Sequence, residues 1–532
     1  MSSSLEEPEN RALPVTSEIL VPDSSATPDG EGVSRIRRIG GGLVWGQVGR
    51  VLDIGLSLVF SVLVVRALGP QDFGVYSIAW SIIGTASLLA SLGFGESLAR
   101  FLPEIYHKNK LRAAALVRRL LVERTLVSLL VALAIWLGSK PLSAWTRTPQ
   151  LQPVIGLVAA LILIYGIWDL LSAYYNAALR IRDHVLIRLA GQIISLALAL
   201  ALFVGYGISV WVPLASLLAS YLLSSLLFLF NSRHVFLLPV PSLDLTSVRR
   251  FGGYVWLTNL ATFGLASQVD VLLIAVLLAN KDQVGFYTVS VLVATRLYSI
   301  LTGWSIVLLP ASAEAYARDA TAGLARSFNT FMKINLMSLV PPFIFLAVWN
   351  QPVITGVFHS AFAPAAPLLF IFSLFNLASA LAGVNVCHPL LYIADRQRSL
   401  LGLRIGAGLL NILLNLWLIP WIGAAGAVIS TGVSNLATHL VELVLLRRYA
   451  QVSYPVALAV KLLFAGVLAA LPRLFLPASG WTSLITGGIL FGIIFIIAVY
   501  LLRPFSQSDY NTLSTAAPRL SHVLRWFTFS EG

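Results

Sequence analysis

Fourteen apolar stretches, each about as long as a bilayer is thick, follow one another along this chain and leave it few ways to fold. A hydrocarbon core about 30 Å thick takes about 20 mostly apolar residues per helix. That rule assigns helices to 41–66, 73–97, 119–138, 153–175, 186–206, 209–230, 252–279, 284–309, 329–349, 365–391, 400–420, 423–446, 456–476 and 482–502. The connections are short, and neither face has room for a folded soluble domain. Composition agrees: 58% of the residues are hydrophobic and 11% charged, against about 25% charged in soluble domains. The expected class is an all-α polytopic membrane protein.

The net charge of +13 would fit a nucleic-acid binder, but the basic residues sit in short clusters between apolar runs, so no nucleic-acid partner is expected. Most of the 36 basic residues fall in alternate connections, such as Arg35, Arg37, Arg38, then Arg180, Arg182, Arg188, then Arg396, Arg398, Arg404. The opposite connections hold only Arg66, Lys140, Arg147, Lys281 and Arg473. The positive-inside rule then puts both termini in the cytoplasm, which an even helix count requires. Trp136, Trp145, Trp211, Trp349, Trp421 and Trp481 fall near the outer helix ends, as an interfacial belt does. Residues 1–34, polar and acidic without the pattern of a cleaved signal, read as a disordered cytoplasmic tail, and 504–532 as a second tail. The single cysteine, Cys387, lies in an apolar run and packs as a small hydrophobe.

The chain also repeats itself. Arg37-Arg38-Ile39-Gly40-Gly41 recurs as Arg249-Arg250-Phe251-Gly252-Gly253, Gly74-Val75-Tyr76 as Gly285-Phe286-Tyr287, and Leu102-Pro103 as Leu309-Pro310. Arg180, Arg182 and Arg188 recur with identical spacing as Arg396, Arg398 and Arg404, and Gly207 maps on Gly423. Five matches in one order define two six-helix lobes, 35–232 and 233–449, followed by two additional helices in 450–503. Six is even, so both lobes enter the membrane in the same direction. A site is then expected near the midplane between them.

Charges inside the spans cost roughly 2.5–3.5 kcal/mol each on insertion scales and therefore mark function by default. Arg50 lies roughly 15 Å into the first helix, with Asp53 one turn on. Arg296 reaches a similar depth in helix 8. Two facing guanidiniums suit a phosphate or pyrophosphate, because the planar fork bonds oxyanions in pairs. The alternative is that Arg50 pairs with Asp53, or Arg296 with Asp270, as structural ion pairs. Asp270, His439 and Glu442 are the titratable groups placed to couple an ion or proton to movement. Asn259, Asn411 and Asn415, with Asn376, Asn385 and Asn435, either hydrogen-bond sugar hydroxyls in a wet cavity or tie helices together. No zinc cluster and no phosphate-binding glycine loop appears, so no metal and no cofactor is expected.

Arg66-Ala67-Leu68-Gly69-Pro70-Gln71-Asp72-Phe73-Gly74-Val75-Tyr76, then Leu92-Gly93-Phe94-Gly95 and Leu98-Ala99-Arg100-Phe101, resemble the opening of the polysaccharide-biosynthesis flippases. These are the Wzx-like branch of the multidrug/oligosaccharidyl-lipid/polysaccharide (MOP) exporter superfamily. The resemblance continues through Val284-Gly285-Phe286-Tyr287 and Gly423-Ala424-Ala425-Gly426-Ala427, covering about 36–450. It implies a MATE-like fold of two lobes in a V, alternating access, and export of undecaprenyl-pyrophosphate-linked oligosaccharide across a bacterial-type plasma (inner) membrane. Membrane lipids, polysaccharide polymerase and glycosyltransferases are the implied partners. Related lipid II flippases carry cavity arginines on helices 1, 2 and 8. Arg50 and Arg296 are similar to two of these, but helix 2 here has no arginine at that depth, only Arg100 at its end. A lipid II flippase, a drug/cation antiporter of the same superfamily, and a scaffold of a glycan-assembly complex are the alternatives.

Overall fold

The computed structural model describes residues 28–237, 243–477 and 480–503, and all regular structure among them is helical. The tail expected over 1–34 lies outside the described residues up to position 27, and from Pro28 the chain is helical. The tail expected over 504–532 lies wholly outside them. Pro28–Ser91 is one helix interrupted at Gly69, whose φ of 71° and ψ of 177° turn the chain between α1 (28–68) and α2 (70–91). Only glycine takes that conformation without steric cost. There follow α3 Phe94–Lys108, α4 Lys110–Leu137, α5 Ile155–Ala177, α6 Ile181–Tyr206 and α7 Trp211–Asn231. The second half holds α8 Thr246–Phe263, α9 Ser267–Leu277, α10 Asp282–Leu301, α11 Ser305–Val348, α12 Ala365–Leu381, α13 Cys387–Ile393, α14 Gln397–Ile422 and α15 Ala424–Ala450. Two more helices, α16 Val456–Ala470 and α17 Trp481–Leu502, end the described chain.

Eleven helices are long and apolar enough to cross a membrane, or twelve if the bent pair α8 and α9 forms one span. The fourteen expected are not reached by this measure, and the reasons are local. Val48–Ser91 counts once, with 44 residues, although in line it would be about 66 Å long, twice a hydrocarbon core. Ala365–Leu381, at 17 residues, falls short of a full span because Ala382–Val386 unwinds before α13.

α1, α2 and α4–α7 pack into one bundle and α9–α15 into another, while α16 and α17 lie together against α11. The apolar core is continuous from the first bundle into the second, and a separate core fills the ends of α3, α4 and α5. The repeat is visible in the backbone. Leu179 and Asp395, each just before the repeated arginines, adopt φ of 58° and 60°, and Gly207 and Gly423 both have positive φ.

At the basic-cluster end α8 packs on the first bundle, where a Cβ on Gly93 would lie 2.1 Å from the Gly252 carbonyl oxygen; the main bundles join at the opposite face. A Cβ on Gly74 would lie 2.2 Å from the Lys281 carbonyl oxygen, and one on Gly285 would lie 2.3 Å from that of Pro70. Each bundle thus sets a side-chain-free turn against the other's main chain. Lys281 spans the joint: its ammonium donates to the carbonyls of Thr146 (2.8 Å) in the first bundle and of Ala275 (2.7 Å) and Leu278 (3.0 Å) in the second. Burial, with Arg147 nearby, pushes its pKa down to about 8. Arg66 adds hydrogen bonds to the Gly356 and Val357 carbonyls, at 2.6 and 2.8 Å.

Candidate functional site

Behind this seal lies a cavity of about 380 Å³ walled by α1, α2, α5, α6, α7, α9 and α10. Its charged corner is built by a close helix crossing. A Cβ on Gly49 would lie 2.4 Å from a Val185 methyl, so glycine there lets α1 press onto α6. One turn further, Asp53 on α1 meets Arg188 and Gln192 on α6. Arg188 Nη2 donates to Asp53 Oδ2 at 2.5 Å and Gln192 Nε2 to Oδ1 at 2.5 Å. Arg296 reaches the same cavity from α10, and its charge acts on Asp53 together with that of Arg188. Arg296 itself makes no hydrogen bond or ion pair among the described residues. The corner therefore holds two guanidiniums and one carboxylate.

The rest of the wall alternates hydroxyls and rings. Ser57 and Ser61, Ser77 and Ser81, and Ser220 and Ser224 recur at one helical turn and line the cavity with Trp80, Trp168 and Tyr221. The Trp168 and Tyr221 rings lie 4.9 Å apart. Gln192 Oε1 and Ser195 Oγ are buried without a hydrogen-bond partner among the described residues. Buried polar atoms are nearly always paired, so orphans in a cavity wall point to an occupant or water. Flat rings beside hydroxyls present the two surfaces a sugar has, apolar C–H faces and polar edges.

The sequence-predicted residues divide between this cavity and two buried clusters. Asp53 and Arg296 line the cavity, but Arg50 is exposed on α1 and is not part of the wall. Neither expected ion pair forms. Residues three apart on a helix diverge by about 60°: Asp53 turns to α6 and Arg50 turns away. Asn259 is also outside, donating to Glu96 on α3 at 3.2 Å.

Asn411 and Asn415 serve Asp270 instead. That carboxylate, fully buried in the first turn of α9, accepts from Tyr287 (2.5 Å), Asn411 (3.1 Å), Asn415 (2.7 Å) and Thr431 (2.7 Å). α8 and α9 meet at a 50° bend, where Asn411 also donates to the freed Gly264 carbonyl at 2.9 Å. Tyr287 forms part of the cavity wall as well, so one phenol separates the cavity from the buried acid.

His439 and Glu442 do come together. Glu442 contacts His388 Nδ1 at 2.9 Å, Arg404 Nη2 at 3.1 Å and His439 Nδ1 at 3.4 Å. Sequence reasoning missed Arg188 and Arg404 as site residues, because their place near helix starts marks them as loop cations. Their shared spacing in the repeat was the available signal.

Two helical bundles facing each other across a mostly apolar cavity, with a paired and an unpaired arginine at one corner, make a multi-pass helical membrane protein. Solved structures with this architecture include an inward-facing multidrug resistance MATE family transporter of the MOP superfamily, 14% identical with a TM-score of 0.59, covering 76% of this chain and 94% of that one. Another is a MOP superfamily transporter from Pyrococcus furiosus, described by the reverse polarity of its binding pocket; it is 14% identical with a TM-score of 0.51 over 77% and 95% of the two chains. The fold is that of the MOP superfamily. The chain belongs to the polysaccharide biosynthesis protein family, whose profile matches residues 63–367. No curated protein matches the sequence.

Proposed function

We propose that the protein is a flippase that carries an undecaprenyl-pyrophosphate-linked oligosaccharide across the plasma membrane by alternating access, with both termini cytoplasmic. The observation that carries this reading is the cavity between the bundles: Arg188 and Arg296 at one corner, ring and hydroxyl walls elsewhere, and a closed seal at the face poor in basic residues. In the proposed state the cargo enters from the basic, cytoplasmic face. The guanidiniums of Arg188 and Arg296 take the pyrophosphate, a role moved from the Arg50–Arg296 pair to the two arginines that line the wall. Asp53 and Gln192 hold Arg188 in place. The sugars lie against Trp80, Trp168 and Tyr221, and the polyprenyl chain remains in the bilayer. A rocking of the bundles about the Gly74–Gly285 contact then exposes the sugars outside.

Asp270 with Asn411, Asn415 and Thr431 is the coupling site in this reading. Rotating the two amides would turn their oxygens toward the carboxylate, leaving an oxygen-lined pocket for a hard monovalent cation. Glu442 with His388 and His439 is the second titratable cluster. The excess positive charge of the cavity disfavours a cationic drug as cargo and weighs against the antiporter alternative.

The test is mass spectrometry of lipid-linked glycans, with leaflet assignment, in a strain lacking the protein. Accumulation in the inner leaflet, reversed by the wild type and not by Arg188→Ala/Arg296→Ala at equal membrane abundance, is the expected result. Full reversal by the double variant would sink the phosphate-clamp reading. No glycolipid accumulation at all would sink the cargo.

A further inference from the structure

The repeat supplies an internal control for a second basic pocket. Where α6 begins, Arg180 is neutralised: its Nε and Nη2 both donate to Asp183 Oδ2, at 3.0 and 2.7 Å, and its guanidinium stacks on the Tyr175 ring at 4.8 Å. The equivalent corner of the second bundle also stacks its arginine on a ring, but the position matching Tyr175 is Leu391 and the ring comes from α15 instead, and the acid is lost. Arg396 stacks on the Tyr449 ring at 5.0 Å, but the position matching Asp183 is Ser399. Asp395 is exposed and forms no ion pair among the described residues.

In place of the carboxylate there is a pocket of about 260 Å³, bounded by Arg396, Ser399, Arg448 and Tyr449 above an apolar floor of Leu391 and Leu400. Arg448 has no anionic partner among the described residues. Two unneutralised guanidiniums and a hydroxyl around one small cavity, beside a phenol that pairs with the Tyr316 hydroxyl at 3.2 Å, make a site for a tetrahedral oxyanion.

Its surroundings name the source of that anion. Leading up α15 to Arg448 is a stripe of exposed apolar side chains, Leu440 (47%), Val441 (42%) and Val444 (48%), spaced to share one helix side with Arg448. An outward apolar stripe ending in a basic pocket has the polarity of a phospholipid, with acyl chains along the stripe and phosphate at its end.

We infer that the corner between α14 and α15 binds the phosphate of an anionic phospholipid. The reading under Proposed function is used only to name the leaflet, the cytoplasmic one.

The test uses the full-length protein, purified and stripped of lipid in detergent. Phosphatidylglycerol, phosphatidylcholine or inorganic phosphate is added and bound lipid is read by native mass spectrometry. The wild type is expected to prefer phosphatidylglycerol to phosphatidylcholine by at least about tenfold. Arg396→Ala/Arg448→Ala should lose that preference, since hydrogen bonds to charged groups are each worth roughly tenfold. Ser399→Asp, which rebuilds the acid of the first bundle without removing an arginine, should lose it too, with an unchanged melting temperature. Arg250→Ala, another exposed cation on the same face, should keep it. Equal binding by the wild type and both pocket variants, or no preference between the lipids, overturns the site. Displacement of phosphatidylglycerol by millimolar phosphate overturns the lipid as its ligand. No transport is measured, so failure here is separate from failure of the flippase reading.

Discussion

In the first bundle Asp53 and Arg188 meet at the wall of the cavity with side chains 13% and 41% exposed. In the second, Asp270 is 0% and Glu442 1% exposed. The repeat-equivalent arginines, Arg188 and Arg404, each pair with a carboxylate, but from different places: Asp53 stands on the first helix of its bundle and Glu442 on the last of its own. The cation was kept while its partner was replaced. A half-wet pair can exchange its hydrogen bonds with an incoming anion. A dry acid held by four neutral donors cannot, and answers only to a proton or a small cation. One architecture used twice thus places a half-wet ion pair in its first bundle and dry acids in its second, which the proposed function reads as cargo-facing and coupling groups.

The sharpest way to break this contrast is at the dry acid. Asp270→Ala orphans two amides and two hydroxyls at once and should destabilise the protein by about 1–3 kcal/mol for each donor left unsatisfied, read as a large fall in melting temperature in detergent. Asp270→Asn should fold and lose coupling, and a fully coupled Asn variant would remove the second bundle's role. In the first bundle, Arg188→Ala should cost less stability, about 1–2 kcal/mol given the exposure of the pair, yet abolish glycan export. The reverse ranking, with the larger stability loss at Arg188, would dissolve the distinction.

At the seal between the bundles, Gly74→Val or Gly285→Val drives a side chain into a carbonyl. Either should weaken the closed state by about 1–3 kcal/mol, seen as longer distances between spin labels at exposed positions 145 and 421. A smaller effect is expected from pH. The closed state holds Lys281 near a pKa of about 8, whereas an exposed lysine titrates near 10.4, so the ammonium disfavours closure. The closed fraction should be flat below about pH 8, rise to about pH 10.4, and become insensitive to pH in Lys281→Met. Arg50→Ala should change stability and export least, within about 0.5 kcal/mol. Loss of export in that variant would return Arg50 to the cargo path.

The helical membrane class was legible because twenty-residue apolar runs admit no other fold, and the repeat because turn glycines and basic clusters keep their spacing. The span count was less legible in the second half, since the unwound stretch before Cys387 leaves no break in hydropathy, whereas Gly69-Pro70-Gln71-Asp72 marks the break between the first two helices. Two of the cavity's three charged groups could be read: Asp53 and Arg296 are deep enough to stand out. Arg188, two turns into its helix, looks like an interfacial cation until Gly49 brings α1 against α6. Helical spacing alone could not say that Arg50 faces away, or that Asn411 and Asn415 point at Asp270 rather than at a sugar. Which side of a helix meets which neighbour is decided by packing.

The Gly74–Gly285 joint brings main chain against main chain, with no side chain at the point of contact. As the hinge of the proposed rocking, it recognises nothing. Substitutions that retune the cavity wall for a different glycan leave it untouched, and a change in the hinge is felt alike by every cargo. Within this architecture, what is carried and how the passage opens are free to diversify independently.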